Sequence, residues 1–202
     1  MTVGLRTALT ARVAAAGLAA QLVGCGGGTL DNPPDVVNPP PQATGQKLSF
    51  AYFQRCIHPL LNAPLRVVIN GVASINTCAA GGCHDNATGT GGALRLTAGA
   101  TLQSLAQTPE ALRATEMYRN FYSSMGETVI GAPDSSRLLN KPLVRGVLHG
   151  GGLIFESVDT AEARLIRYWI SRPMPQGRDE FSPAAAALFT PADPDTGVCN
   201  AQ

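Results

Sequence analysis

Two thiols and an imidazole stand together in the segment Cys78-Ala79-Ala80-Gly81-Gly82-Cys83-His84. Three chemistries are open to such a set. The thiols can oxidise to a small disulfide beside an incidental histidine. They can join His84 in a zinc site, for which His58, His149, Cys56 or Cys199 would have to supply the fourth ligand. Or each thiol can add to one vinyl group of a haem while the adjacent imidazole turns under the macrocycle and ligates iron, the chemistry of a C-x-x-C-H element. Here four residues separate the cysteines instead of two. Gly81 and Gly82 let the extra residues bulge outward at little steric cost.

The elements that must position these groups can be read from periodicity. Phe50, Phe53, Ile57, Leu60 and Leu61 recur at spacings of three and four, which predicts an amphipathic helix over 47–62, with Pro64 just beyond it. Asn70-Gly71 between β-branched runs predicts a two-stranded ribbon over 66–75. Residues 76–100 read mostly as loop. Pro109 opens a helix through Tyr122, with Glu110 in its first turn. Pro133 and Pro142 bracket a turn-rich segment holding Leu138 and Leu139, and the glycine loop His149-Gly150-Gly151-Gly152 follows. A last helix begins at Asp159, which caps it while Glu162 reaches back. Leu165, Ile166, Trp169 and Ile170 form its apolar stripe, and Pro173 ends it. The expected class is mainly α, a small helical domain with glycine-rich loops and one short β-hairpin.

Composition removes other functions. A formal charge of +1 over 202 residues offers no basic surface for nucleic acid, and 5% aromatic residues are too few for a base-stacking platform. No uninterrupted apolar run reaches the roughly 18 to 20 residues of a membrane-spanning helix. The 22 glycines and 15 prolines point to a loop-rich chain, and five cysteines leave at least one thiol without a partner inside it.

The N-terminus reads as an export signal. Arg6 and Arg12 precede a run of small and apolar residues from Val13 to Val23. Leu22-Val23-Gly24-Cys25 resembles the lipobox of bacterial lipoproteins, in which the cysteine is acylated and becomes the first residue of the mature chain. That resemblance implies a lipoprotein signal peptide over 1–24 and a bilayer anchor at Cys25. It also implies an outer-membrane destination, facing the periplasm or the cell surface, because Gly26 stands where an aspartate would hold the protein in the inner membrane. Residues 25–46, with Pro33, Pro34, Pro39, Pro40 and Pro41, read as a flexible Gly/Pro-rich linker. Cleavage would remove Arg6 and Arg12, and the mature chain would stay near neutral.

The thiol and imidazole element resembles the expanded C-x4-C-H attachment site of some cytochromes c. The wider pattern is similar to the cytochrome c-like domains of bacterial exported lipoproteins: a helix before the attachment site, Gly91-Gly92-Ala93-Leu94-Arg95-Leu96 after it, then Ser136-Arg137-Leu138-Leu139-Asn140-Lys141, the His149 loop, and a terminal helix with Tyr168-Trp169-Ile170. The resemblance covers residues 50–172. It implies a cytochrome c-like domain over 47–202 with one covalent haem c on Cys78 and Cys83, His84 as proximal ligand, and one-electron transfer with redox partner proteins rather than catalysis. The ribbon and the tail after Pro173 look like local additions.

In the small cytochromes c that it resembles, the sixth ligand sits on a loop some way ahead of the last helix's aromatic residue. His149, twenty residues before Trp169, is the expected sixth ligand. Met125 is the methionine alternative, Met174 beyond the helix is a further one, Met117 reads as helical core, and an open or water-ligated position, which would permit small-molecule binding or peroxide chemistry, is the remaining reading. His58 reads as a structural histidine. Arg137, Lys141 and Arg145 are candidates for the haem propionates or for partner docking. With Cys25 assigned to lipid and Cys78 and Cys83 to haem, Cys56 and Cys199 remain, and an oxidising periplasm should bridge them. The alternative is a haem-free structural or binding lipoprotein with a Cys78–Cys83 disulfide.

Overall fold

The stripe from Phe50 to Leu61 becomes the central helix of the computed structural model. It is built in three pieces: α1 (Phe50–Tyr52), a π-helical segment (Phe53–Ile57) and α2 (His58–Asn62). Ser49 caps its start, its hydroxyl accepting the Tyr52 N–H at 3.1 Å. The wide π turn stands just ahead of Pro59, which has no N–H to continue the ladder. The helix is buried nearly all round, with Phe50, Ala51, Tyr52, Phe53, Gln54, Cys56 and Ile57 inside, as a helix threaded through a core must be. The structure describes Met1, residues 45–69 and residues 71–200, and all but Met1 lie within the unit Pro39–Gln202. The expected signal segment, Cys25 and the linker as far as residue 44 lie outside the described residues.

After α2 the chain forms the expected antiparallel ribbon, β1 (Leu65–Ile69) with β2 (Val72–Asn76), in register Leu65↔Asn76 to Ile69↔Val72. The helix expected over 109–122 is divided into α3 (Pro109–Arg113) and α4 (Glu116–Gly126). The reason is local: Thr115 caps α4 with its hydroxyl, which accepts the Tyr118 N–H at 3.1 Å. A 3-10 turn (Pro133–Ser135) and α5 (Arg137–Asn140) lead to the glycine loop. The last helix, α6 (Ala161–Ser171), is capped by Thr160 and not by Asp159, and Glu162 lies in its first turn.

Trp169 of α6 is fully buried against Phe53 and Phe121, at centroid distances of 5.5 and 6.1 Å, and its Nε1–H donates to the Ser49 carbonyl at 3.0 Å. The tail is packed more closely than its proline content suggests. Ala185, Leu188 and Phe189 are buried, the Phe50 N–H donates to the Glu180 carbonyl at 2.9 Å, and the Tyr52 hydroxyl reaches the Asn200 carbonyl at 2.7 Å. Cys199 is bonded to Cys56 on the π segment, with Cα atoms 5.6 Å apart. Helix makes up 34% of the structure beside one ribbon, so long irregular loops share the framework with short helices.

Candidate functional site

The loop that carries the thiols is closed by its own backbone. The His84 N–H donates to the Cys78 carbonyl at 3.0 Å, and the Cys83 N–H to the Ala80 carbonyl at 3.0 Å, so the residues between the two cysteines fold out as one bulge. Gly82 has φ +79°, a left-handed conformation open to glycine at no steric cost. Thr90 ties the bulge down by donating its hydroxyl to the Gly82 carbonyl at 2.8 Å. Cys78 and Cys83 are both unbonded and half-buried, while the Asn76 side-chain amide donates to the Cys83 sulfur at 3.6 Å. Burial, with the neighbouring Cys83 adding to it, pushes the Cys78 thiol up to about 11.

His84 is held from several sides. Its carbonyl accepts the Leu96 N–H at 2.8 Å, and its Nδ1 lies 3.2 Å from the Leu94 carbonyl. A carbonyl only accepts, so the proton sits on Nδ1, and a neutral ring then keeps its lone pair on Nε2. Burial, aided by the nearby His149, Lys141 and Arg95, holds the ring below the usual histidine range and so favours that neutral form, although the Leu94 bond acts against it. Gly91 lies directly against this ring: a Cβ there would meet Cε1 and Nδ1 at 2.5 Å.

His149 faces His84. The ring centroids are 6.2 Å apart and the planes differ by 9°. Two imidazoles that ligate one metal from opposite sides, each about 2 Å from it through a ring nitrogen, have centres roughly 6 Å apart. His149 also directs Nδ1 at a backbone carbonyl, that of Gly152 at 2.9 Å, which leaves Nε2 as the nitrogen with a lone pair. A backbone carbonyl on the far nitrogen is the usual arrangement behind a histidine that binds metal, because it fixes both tautomer and ring orientation.

Both histidines and both thiols line one cavity of about 450 Å³, within the range of about 300 to 1,000 Å³ in which cofactors bind. Its walls are mostly apolar and include Leu65, Val67, Leu138, Ile154 and Phe155. Leu65 and Val67 belong to β1, so the ribbon is a wall of the site and not a local addition. Arg137 and Lys141 also line the cavity, whereas Arg145 turns away to pair with Asp134 at 3.2 Å. Of the methionines, Met117 and Met174 are buried in the core and Met125 packs against it, and none lines the cavity. His58 lies outside the cavity too. It is buried beside Asn62, whose amide is 3.1 Å from Nε2, and burial lowers its pKa against a smaller opposing bond to the Thr97 carbonyl.

This donor set suits a macrocycle better than a bare ion. No three His, Cys, Asp or Glu side chains gather as a metal-holding group among the described residues, as a protein-only zinc site would require. A haem would bring four nitrogens of its own, could take the Nε2 atoms of His84 and His149 as ligands, and would use the two thiols for its vinyl groups. The residues therefore fit a covalently attached haem. Sequence reasoning did not find Gly91 as the seat of His84, the Leu94 and Gly152 carbonyls, or the β1 wall. Gly91 carried a visible signal as part of a glycine run, but the ring contact it permits depends on the chain reversing after His84.

No family model, curated protein or solved structure matches the chain. Among the described residues no helix is long and apolar enough to cross a membrane.

Proposed function

We propose that residues 47–202 form a mainly helical, cytochrome c-like domain that binds one haem covalently through Cys78 and Cys83, with His84 and His149 as axial ligands, and transfers single electrons. The observation that carries this reading is the facing pair of imidazoles, 6.2 Å apart and 9° from parallel, in a cavity that also holds both thiols. The haem would supply the ferrous/ferric couple, and the chain does the rest. The thiols fix the ring in place, the Leu94 and Gly152 carbonyls orient the two histidines, and the apolar walls keep water away and so stabilise the less charged state. Arg137 and Lys141 supply positive charge for the propionates. Two imidazoles place the potential below that of a histidine–methionine pair.

The export and anchoring reading completes the proposal. Acylation at Cys25 would hold the domain at the outer membrane on the 25–46 linker, facing the periplasm or cell surface, where it would meet redox partner proteins. A multiply acylated cysteine anchors firmly, at about 0.8 kcal/mol per buried methylene.

Expression alongside the cytochrome c maturation machinery tests the reading. A pyridine haemochrome spectrum that survives acid-acetone extraction, with a low-spin six-coordinate native spectrum, is expected. An extracted protein without haem, under conditions that load a control cytochrome, would mean a haem-free lipoprotein instead.

A further inference from the structure

The two histidines are held very unequally. His84 is only 9% exposed, and its hydrogen bonds run to Cys78 of its own loop and to Leu94 and Leu96 of the following segment. His149 is half-buried, and its two hydrogen bonds both close on Gly152: the ring to the Gly152 carbonyl at 2.9 Å, and the Gly152 N–H to the His149 carbonyl at 2.9 Å. Among the described residues that internal pair is the only hydrogen bonding from Gly146 to Leu153, the flanking anchors lying at Arg145, bonded to Asn140, and at Ile154, bonded to Pro142. Side chains hold the loop only lightly: Leu148 is 88% and Leu153 50% exposed, and Val147 and His149 are half-buried. Where the loop leaves Lys141, Val144 sits at φ +50°, in the left-handed region that a β-branched residue rarely adopts. Gly152 approaches the Val68 carbonyl of β1 closely, but that contact is van der Waals and breaks no hydrogen bond on parting.

We propose that the loop Gly146–Leu153 swings as a unit and carries His149 off the iron, opening the face opposite His84 to a small neutral diatomic ligand of the carbon monoxide class. This rests on the haem reading above. The loop can move with its His149–Gly152 bonds intact, so opening costs little in hydrogen bonding, whereas His84 cannot leave without breaking bonds to three other residues. The walls of the cavity select the ligand. They are mostly apolar, Arg137 and Lys141 are matched to the haem propionates, and the proton of His149 stays on Nδ1 with the Gly152 carbonyl, so that ring offers a ligand no donor. A neutral ligand is therefore favoured over an anion or a species that needs a distal donor. The exchange is balanced in the ferrous state: the iron–Nε2 bond breaks, the iron–ligand bond forms, and no electron or proton is transferred.

The test uses the full haem-loaded protein, reduced with dithionite and mixed with carbon monoxide. The expected result is complete conversion to the carbon monoxide adduct, with a rate that levels off as its concentration rises because loop opening limits it. In His149→Ala the rate should stay proportional to concentration and the apparent affinity should rise about tenfold or more, as it does when a minor competent state becomes the major one. Loaded wild type that stays unbound while His149→Ala binds overturns the inference but leaves the haem reading standing. A His149→Ala spectrum identical to wild type overturns the axial assignment of His149 and the inference with it, and a protein that takes up no haem overturns both readings. Hydrogen exchange on the loaded wild type needs no variant. Amides of 146–151 should exchange far faster than those of His84 and Leu96, and equal protection would contradict the swinging loop.

Discussion

Gly91 stands so close to His84 that a methyl group on its Cα would reach the imidazole at 2.5 Å and the Cys83 carbonyl at 2.7 Å. The Cys83 carbonyl is backbone and cannot give way, and the ring can retreat only into the cavity by breaking its Nδ1 bond to Leu94. Gly91→Ala should therefore rotate His84 off its position, lowering haem incorporation or converting low-spin to high-spin iron. Overpacking of this kind costs about 1 to 3 kcal/mol. Gly99→Ala, where a Cβ meets nothing within 4 Å, is the control and should leave both the optical spectrum and thermal unfolding unchanged.

On a haem iron ligated by both rings, the near-parallel planes of His84 and His149 would have a magnetic signature. Aligned imidazoles act on the iron d orbitals along one common direction and produce a rhombic low-spin electron paramagnetic resonance signal. Perpendicular planes give a single, strongly shifted low-field feature instead. The 9° angle predicts the rhombic signal, lost in His149→Ala and retained in Met125→Leu, because Met125 does not line the cavity.

Acid should weaken the fold through Glu180, whose side chain is only 4% exposed. Burial alone would raise its carboxyl, but its own backbone N–H, the Tyr118 hydroxyl at 2.9 Å and the Arg113 guanidinium at 3.0 Å outweigh that and hold it below the usual value of 4.5. The depressed native pKa means that the contribution is complete above pH 4.5 and is lost as pH falls through the native value, where Glu180 takes up its proton. Glu180→Gln should lower stability by about 1 to 3 kcal/mol at neutral pH and flatten this acid limb. Urea unfolding of both proteins between pH 3 and 7 measures the difference.

The Cys56–Cys199 bond spans 143 residues, nearly the whole described domain. Closing so long a loop restricts the unfolded chain by about 5 kcal/mol in the chain-entropy model. Cys56→Ala with Cys199→Ala should cost 2 to about 5 kcal/mol in denaturant unfolding, with fraying of the segment around Leu188 and Phe189. Haem attachment should persist, because neither sulfur lines the cavity.

The parts of this molecule written in local sequence were legible. The ribbon announces itself by Asn-Gly between β-branched runs, and α6 by the spacing of Leu165, Ile166 and Trp169. Cys78, Cys83 and His84 are neighbours in the chain, so their chemistry could be read from spacing alone. Parts set by tertiary contact were not legible. Thr115 looked like one more helical residue, yet its hydroxyl divides α3 from α4. The tail after Pro173 looked loose because its prolines speak of loop, while the burial of Ala185, Leu188 and Phe189 comes from packing that has no periodic trace. The role of Leu65 and Val67 as cavity walls depends on how β1 folds back toward the His149 loop. The close seat of His84 on Gly91 depends on a chain reversal within 84–96.

Intact mass of the protein matured with the cytochrome c machinery, taken after denaturation and treatment with a thiol alkylating agent, tests the covalent haem most directly. A mass increased by one haem is expected, with Cys78 and Cys83 unavailable to the reagent because both sulfurs would be thioethers. A chain without the haem mass, carrying two alkyl groups on Cys78 and Cys83 or a disulfide between them, would contradict it.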